Sequence, residues 1–73
     1  MKSNQKLVYD YILNFKTVNG YSPTVREIAR GLNTKSKSWV SEILQELKAS
    51  GYITYKDNTP RTIVILRFEK QSI

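Results

Sequence analysis

Three times in the first fifty residues, apolar side chains recur at the spacing of one helix face; after Gly51 that spacing gives way to runs rich in β-branched residues. Few folds are open to a chain with this order of periods. Val8, Tyr11, Ile12, Phe15 and Val18 follow i, i+3, i+4, i+7, i+10 and predict a helix over about 4–18, closed by Asn19-Gly20, both of which accept a left-handed cap. In "SPTVREIARGL", Thr24 followed three residues later by Glu27 is a capping-box pattern, and Pro23 keeps the chain extended before it. Val25, Ile28, Ala29 and Leu32 repeat the stripe, so a short second helix is predicted over 25–32. Val40, Ile43, Leu44 and Leu47 carry it a third time behind the polar cluster Ser36-Lys37-Ser38, predicting a helix over 38–49 with Gly51 as its cap.

The remaining segments "YITY" and "TIVILRF" favour extended backbone and predict strands over about 52–55 and 62–68, joined through the polar turn "KDNTPR". A two-stranded hairpin is marginal alone and must pack on the helices. That requirement sends Ile53, Ile63 and Ile65 to the core and leaves Lys56 and Arg61 at the exposed tip. Only four or five residues join the second and third helices, which suits the tight corner of a helix-turn-helix. The fold class expected is therefore α+β: a three-helix winged helix-turn-helix with a C-terminal two-stranded antiparallel hairpin as its wing, in a single domain over 1–73.

Composition then excludes whole classes of function. The chain has 73 residues, enough for one small core. It has neither Cys nor His, so the common zinc ligands, thiol nucleophiles and the neutral-pH proton shuttle are missing, and six scattered carboxylates show no acid/base pairing. No enzyme and no cofactor are expected, and no small-molecule ligand is evident. No run of about 20 apolar residues and no signal-peptide pattern is present, so a cytoplasmic protein that does not span a membrane is expected. Twelve Lys and Arg against six Asp and Glu give a net charge of +6, which favours polyanionic partners.

The stretch "GYSPTVREIARGLNTKSKSWVSEILQELKASGYI" resembles the N-terminal DNA-binding domain of LexA-type repressors, particularly the form found in Gram-positive bacteria. The resemblance runs from Lys6 to Leu66. It includes the "G-Y-x-P-[ST]-V-R-E-I" opening, the serine-rich start of the third helix, the "L-x-x-L-x-x-x-G-[YL]-I" close and the "P-R-x-I-x-I-L" second strand. It implies sequence-specific binding of double-stranded DNA by a bacterial, phage or mobile-element transcription regulator, with the third helix in the major groove and, as in the family, a homodimer on a palindromic operator. Ser36, Ser38, Trp39, Ser41 and Glu42 occupy the family's base-facing or groove-facing positions. Trp39 stands where the family usually has a small residue or Thr, and Asn33 where it commonly has Gly. The self-cleaving dimerisation domain with its Ser-Lys pair has no counterpart in the sequence, so neither an operator sequence nor regulation by self-cleavage carries over.

The residues themselves add candidates. Lys35, Lys37 and Arg61 are expected at phosphates, with Lys56 beside them at the wing tip, and Arg26 either joins them or pairs with Glu27. Tyr21, Ser22 and Thr24 in the entry to the second helix complete the DNA-binding set, Thr24 doubling as the cap. Ser36 and Ser38 combine capping with contact, since one can cap while the other faces DNA. Glu42 can accept from a cytosine amino group or simply be solvated. Trp39 either points outward to a thymine methyl or deoxyribose, or is half-buried against Ile43. An exposed Trp39 would equally suit a protein-interaction module, an adaptor or antirepressor, which is the alternative function.

Overall fold

The computed structural model describes residues 1–68 and contains, in order, α1 (Ser3–Asn19), α2 (Val25–Gly31), α3 (Lys37–Ala49), β1 (Ile53–Thr54) and β2 (Val64–Ile65). The α+β order is the one expected. β1 and β2 are antiparallel, with Ile53 opposite Ile65 and Thr54 opposite Val64. Among the described residues no helix is long and apolar enough to cross a membrane.

Local chemistry sets each helix end. At α2 the capping box closes in both directions: Thr24 Oγ1 accepts the Glu27 N–H at 3.1 Å, and Glu27 Oε1 accepts the Thr24 N–H at 2.9 Å. A cap of this kind contributes about 1 kcal/mol. α3 starts one residue earlier than expected because Ser36 is the cap, its Oγ accepting the Trp39 N–H at 3.1 Å. Both α2 and α3 end in a Schellman motif. After α3, Gly51 takes φ 81° and donates to the Lys48 carbonyl, and Tyr52 donates to that of Leu47. After α2 the same pair of bonds runs from Asn33 to Arg30 and from Thr34 to Ala29, with Asn33 at φ 58°. Asparagine is the side chain best suited to replace glycine in that left-handed position, which accounts for this departure from the family's usual residue.

The core gathers Val8, Tyr9 and Ile12 of α1, Ile28 and Ala29 of α2, Val40, Ile43, Leu44 and Leu47 of α3, and Ile53 and Ile63 of the hairpin. On α1 the expected stripe needs correction. Tyr9 is 2% exposed and Val18 is 73% exposed, so the buried face is rotated by roughly 70° from the predicted one, less than the 100° step of one residue. Tertiary partners for Tyr9 cause the rotation: its ring meets Tyr52 edge-on at 6.1 Å, and its hydroxyl donates to the Arg67 carbonyl at 2.8 Å. Tyr11, expected in the core, is half-buried beside it.

Each strand of the wing is two residues long, shorter than the predicted 52–55 and 62–68. Positive φ at Asn58 and Arg61 takes the backbone off the ladder, and Thr62 Oγ1 accepts the Lys56 N–H at 2.9 Å in place of a strand partner. Beyond β2, the Leu66 and Arg67 N–H groups both converge on the Tyr52 carbonyl, which ends the pairing there. Ile53 and Ile63 are buried as expected, while Ile65 is half-buried.

Glu27 joins three elements. Its backbone carbonyl accepts the Tyr11 hydroxyl of α1 at 3.2 Å, and its carboxylate, already in the capping box, meets Arg61 of the wing at 3.0 Å. The Thr24 backbone N–H, reinforced by Arg61, holds the carboxyl below its ordinary range. One turn further along α2, a Cβ on Gly31 would run into the Tyr11 ring, so glycine permits the close approach of α1 and α2.

Two outcomes follow from these contacts. Gly31→Ala is expected to lower the free energy of unfolding by about 1–3 kcal/mol in urea titration, as overpacking does. In a Tyr11→Ala background the same change should become stabilising by up to about 1 kcal/mol, because only helix propensity remains. Since the Glu27 carboxyl is held low in the folded state, its contribution is fully present above the ordinary carboxylate range and is lost as pH falls through the folded-state value. The difference in Tm between the parent chain and Glu27→Gln should accordingly be largest near neutral pH and close in acid.

Candidate nucleic-acid interface

One flank of α3, the first turn of α2 and the wing enclose a cleft of about 690 Å³. Lys37, Ser41 and Gln45 line it from α3, because i, i+4 and i+8 fall on one side of a helix. Arg26 lines it from α2, and Lys56 and Asp57 from the wing tip. Three cations thus share the cleft with a single carboxylate, apart from Arg61, which is committed to Glu27. Gln45 was missed in the sequence; its i+4 relation to Ser41 was the signal that could have found it.

The outward face of α3 carries Ser38 and Glu42. Relative to buried Val40 they lie at about 160° and 200° around a 3.6-residue helix, and both are exposed. Lys35, in the corner between α2 and α3, is exposed too. Ser36 is exposed, but its Oγ serves as the cap of α3, which leaves Ser38 as the serine of that turn whose hydroxyl does not cap the helix. Trp39 lies on the flank turned away from the cleft. It is half-buried and packs on the core, so less of its ring is exposed than on a freely projecting aromatic anchor.

Two candidates at the entry to α2, and Arg61 of the wing, have tasks inside the fold. Ser22 is 5% exposed; its hydroxyl donates to the Pro23 carbonyl at 3.1 Å and accepts the Ile63 N–H at 3.2 Å, so its side chain faces the wing. Thr24 is half-buried as the α2 cap. Arg61, expected free at the tip, is folded back: Nη1 donates to the Ser22 carbonyl at 3.0 Å, and the guanidinium lies 4.5 Å from the centre of the Tyr21 ring. Arg61 therefore takes the role beside Glu27 that Arg26 was offered, and Arg26 lies exposed on the cleft. Tyr21 itself is 48% exposed, with its edge against Phe15 at 5.7 Å.

Two lysines of the helices also face inward on the wing. Lys16 donates to the Ile63 carbonyl at 3.0 Å, and Lys48 donates to the Tyr55 carbonyl at 3.0 Å while lying 4.5 Å over its ring. The cations left at the cleft and corner are Arg26, Lys35, Lys37 and Lys56, all exposed. They border a helix whose outer face offers a hydroxyl and a carboxylate. Such an arrangement has donors for backbone phosphates on its margins and polar groups for base edges between them. Among the described residues no three His, Cys, Asp or Glu side chains come together to hold a metal ion.

Known proteins are similar in sequence to this chain. The chain is 36% identical over 70 residues to the LexA repressor of Herpetosiphon aurantiacus, covering 96% of this chain and 33% of that protein. It is 34% identical over 71 residues to the LexA repressor of Oceanobacillus iheyensis, covering 97% and 34%. Against that of Staphylococcus epidermidis it is 36% identical over 66 residues, covering 90% and 32%. The chain therefore spans about a third of the length of these relatives. With residues 1–62 matching the sequence profile of the LexA DNA binding domain, and three helices and a wing arranged as described, the chain belongs to the LexA DNA-binding domain family.

Proposed function

We propose that this chain is a transcriptional repressor that binds double-stranded DNA sequence-specifically and acts by occupying its site. α3 enters the major groove with Ser38, Ser41 and Glu42 toward base edges, while Arg26, Lys35, Lys37 and Lys56 neutralise phosphates on either side. The observation that carries this reading is the cleft beside α3, where Arg26, Lys37 and Lys56 converge from three different elements. Solvated charge needs no such convergence. Kinship with proteins named repressors supports the same reading.

Each chain presents one α3, and one half-site offers limited discrimination, so two chains on an inverted repeat are the arrangement that completes the site. Half-sites are then spaced by about 34 Å or a multiple of it.

Selection from a random duplex pool should enrich one motif, and its symmetry should be that of an inverted repeat. For four phosphate contacts, the logarithm of affinity should fall against the logarithm of salt with a slope of roughly −4. Lys37→Ala should weaken binding and make the slope shallower by about 1. A pool that yields no motif, together with a flat salt response, would overturn the proposal.

A further inference from the structure

Arg61 is held more firmly than a phosphate ligand needs to be. Its φ of 59° lies where side-chain-bearing residues rarely sit, so its contacts must offset that conformation. The guanidinium forks across Glu27, with Nη1 at 3.0 Å from Oε1 and Nη2 donating to Oε2 at 3.2 Å. Nη1 also donates to the Ser22 carbonyl at 3.0 Å, and the group stacks on Tyr21. Two residues later, the Ile63 N–H donates to the buried Ser22 hydroxyl at 3.2 Å. Residues 61 and 63 thus clasp the segment 21–27 from one side, while the ladder behind them is only two residues long.

We propose that Arg61 is a positioning residue that latches the wing to the N-terminus of α2 and so fixes the width of the cleft between the wing and α3. It acts on DNA through that geometry rather than by contacting phosphate. The inference rests on the DNA-binding reading above for its consequence, but the latch itself is a property of the free protein. An ion pair this exposed contributes little by charge alone. What the guanidinium supplies is shape: a planar fork that meets a carboxylate, a carbonyl and a ring at once, which an ammonium on a flexible stem does not reproduce.

A small set of variants separates the two roles. If Arg61 is the latch, Arg61→Lys and Arg61→Gln should each weaken duplex binding by about tenfold with the salt slope unchanged, because no phosphate contact is lost even when the charge is removed. Lys56→Ala, the phosphate-type control, should make the slope shallower by about 1. Glu27→Gln keeps a side chain able to complete the capping box but removes the ionic partner, and should weaken binding in the same sense as Arg61→Lys. A phosphate-binding Arg61 restrained by Glu27 would instead be freed, and binding would strengthen. In the free protein, amide exchange at Ile63 should quicken by about tenfold in Arg61→Lys, as local opening becomes easier. Unchanged Ile63 exchange in Arg61→Lys, or a shallower slope in Arg61→Gln, overturns the latch. A parent chain that binds no duplex while Ile63 exchange still responds overturns the DNA-binding reading and leaves the latch standing.

Discussion

The structure depends most on Glu27, whose carboxylate, backbone N–H and backbone carbonyl are shared among three elements. Its carboxylate caps α2 and receives the wing through Arg61, its amide closes the cap on Thr24, and its carbonyl anchors Tyr11 of α1. A small core restrains its elements weakly, so polar contacts that each fix an orientation matter more here than in a larger domain. Gly31 completes the node by letting the Tyr11 ring lie against α2 at the distance that this hydrogen bond requires.

The basic composition is divided between two tasks that charge alone does not distinguish. Lys16, Lys48 and Arg61 turn their donors onto backbone carbonyls of the wing or of the loop before α2. The two wing carbonyls, of Ile63 and Tyr55, flank a very short ladder and would otherwise look to solvent for partners. Arg26, Lys35, Lys37 and Lys56 remain exposed around α3. Net positive charge therefore overstates the number of groups free for a polyanion, and the surplus is spent on holding the surface that the free ones occupy.

Local signals in the sequence were read well because their physics is local. The capping box of α2 and the stripes of α2 and α3 involve residues at most four apart, so short-range sterics decide them. What was missed involves partners far along the chain. Tyr9 is buried because Tyr52 and Arg67 receive it, 43 and 58 residues away. Arg61 is bound by Glu27 at a separation of 34, and Ser22 by Ile63 at 41. Strand length failed for a related reason: β-propensity describes how a residue fits a partner, and beyond Thr54 the partner is the Thr62 side chain, while beyond Ile65 two N–H groups share the one Tyr52 carbonyl. Of the candidate interface, the outward face of α3 was legible from helical spacing, whereas the contacts of Ser22 with Arg61 and Ile63 became legible only with the wing in place.

Trp39 gives the molecule an optical property. It is the sole tryptophan beside five tyrosines, and it lies half-buried in the first turn of α3, with its amide on the Ser36 cap. An indole there is neither fully solvated nor sealed in the core. Its emission reads the polarity of that one turn, so the unlabelled chain carries its own fluorophore at the start of α3, the helix to which the reading of DNA is assigned.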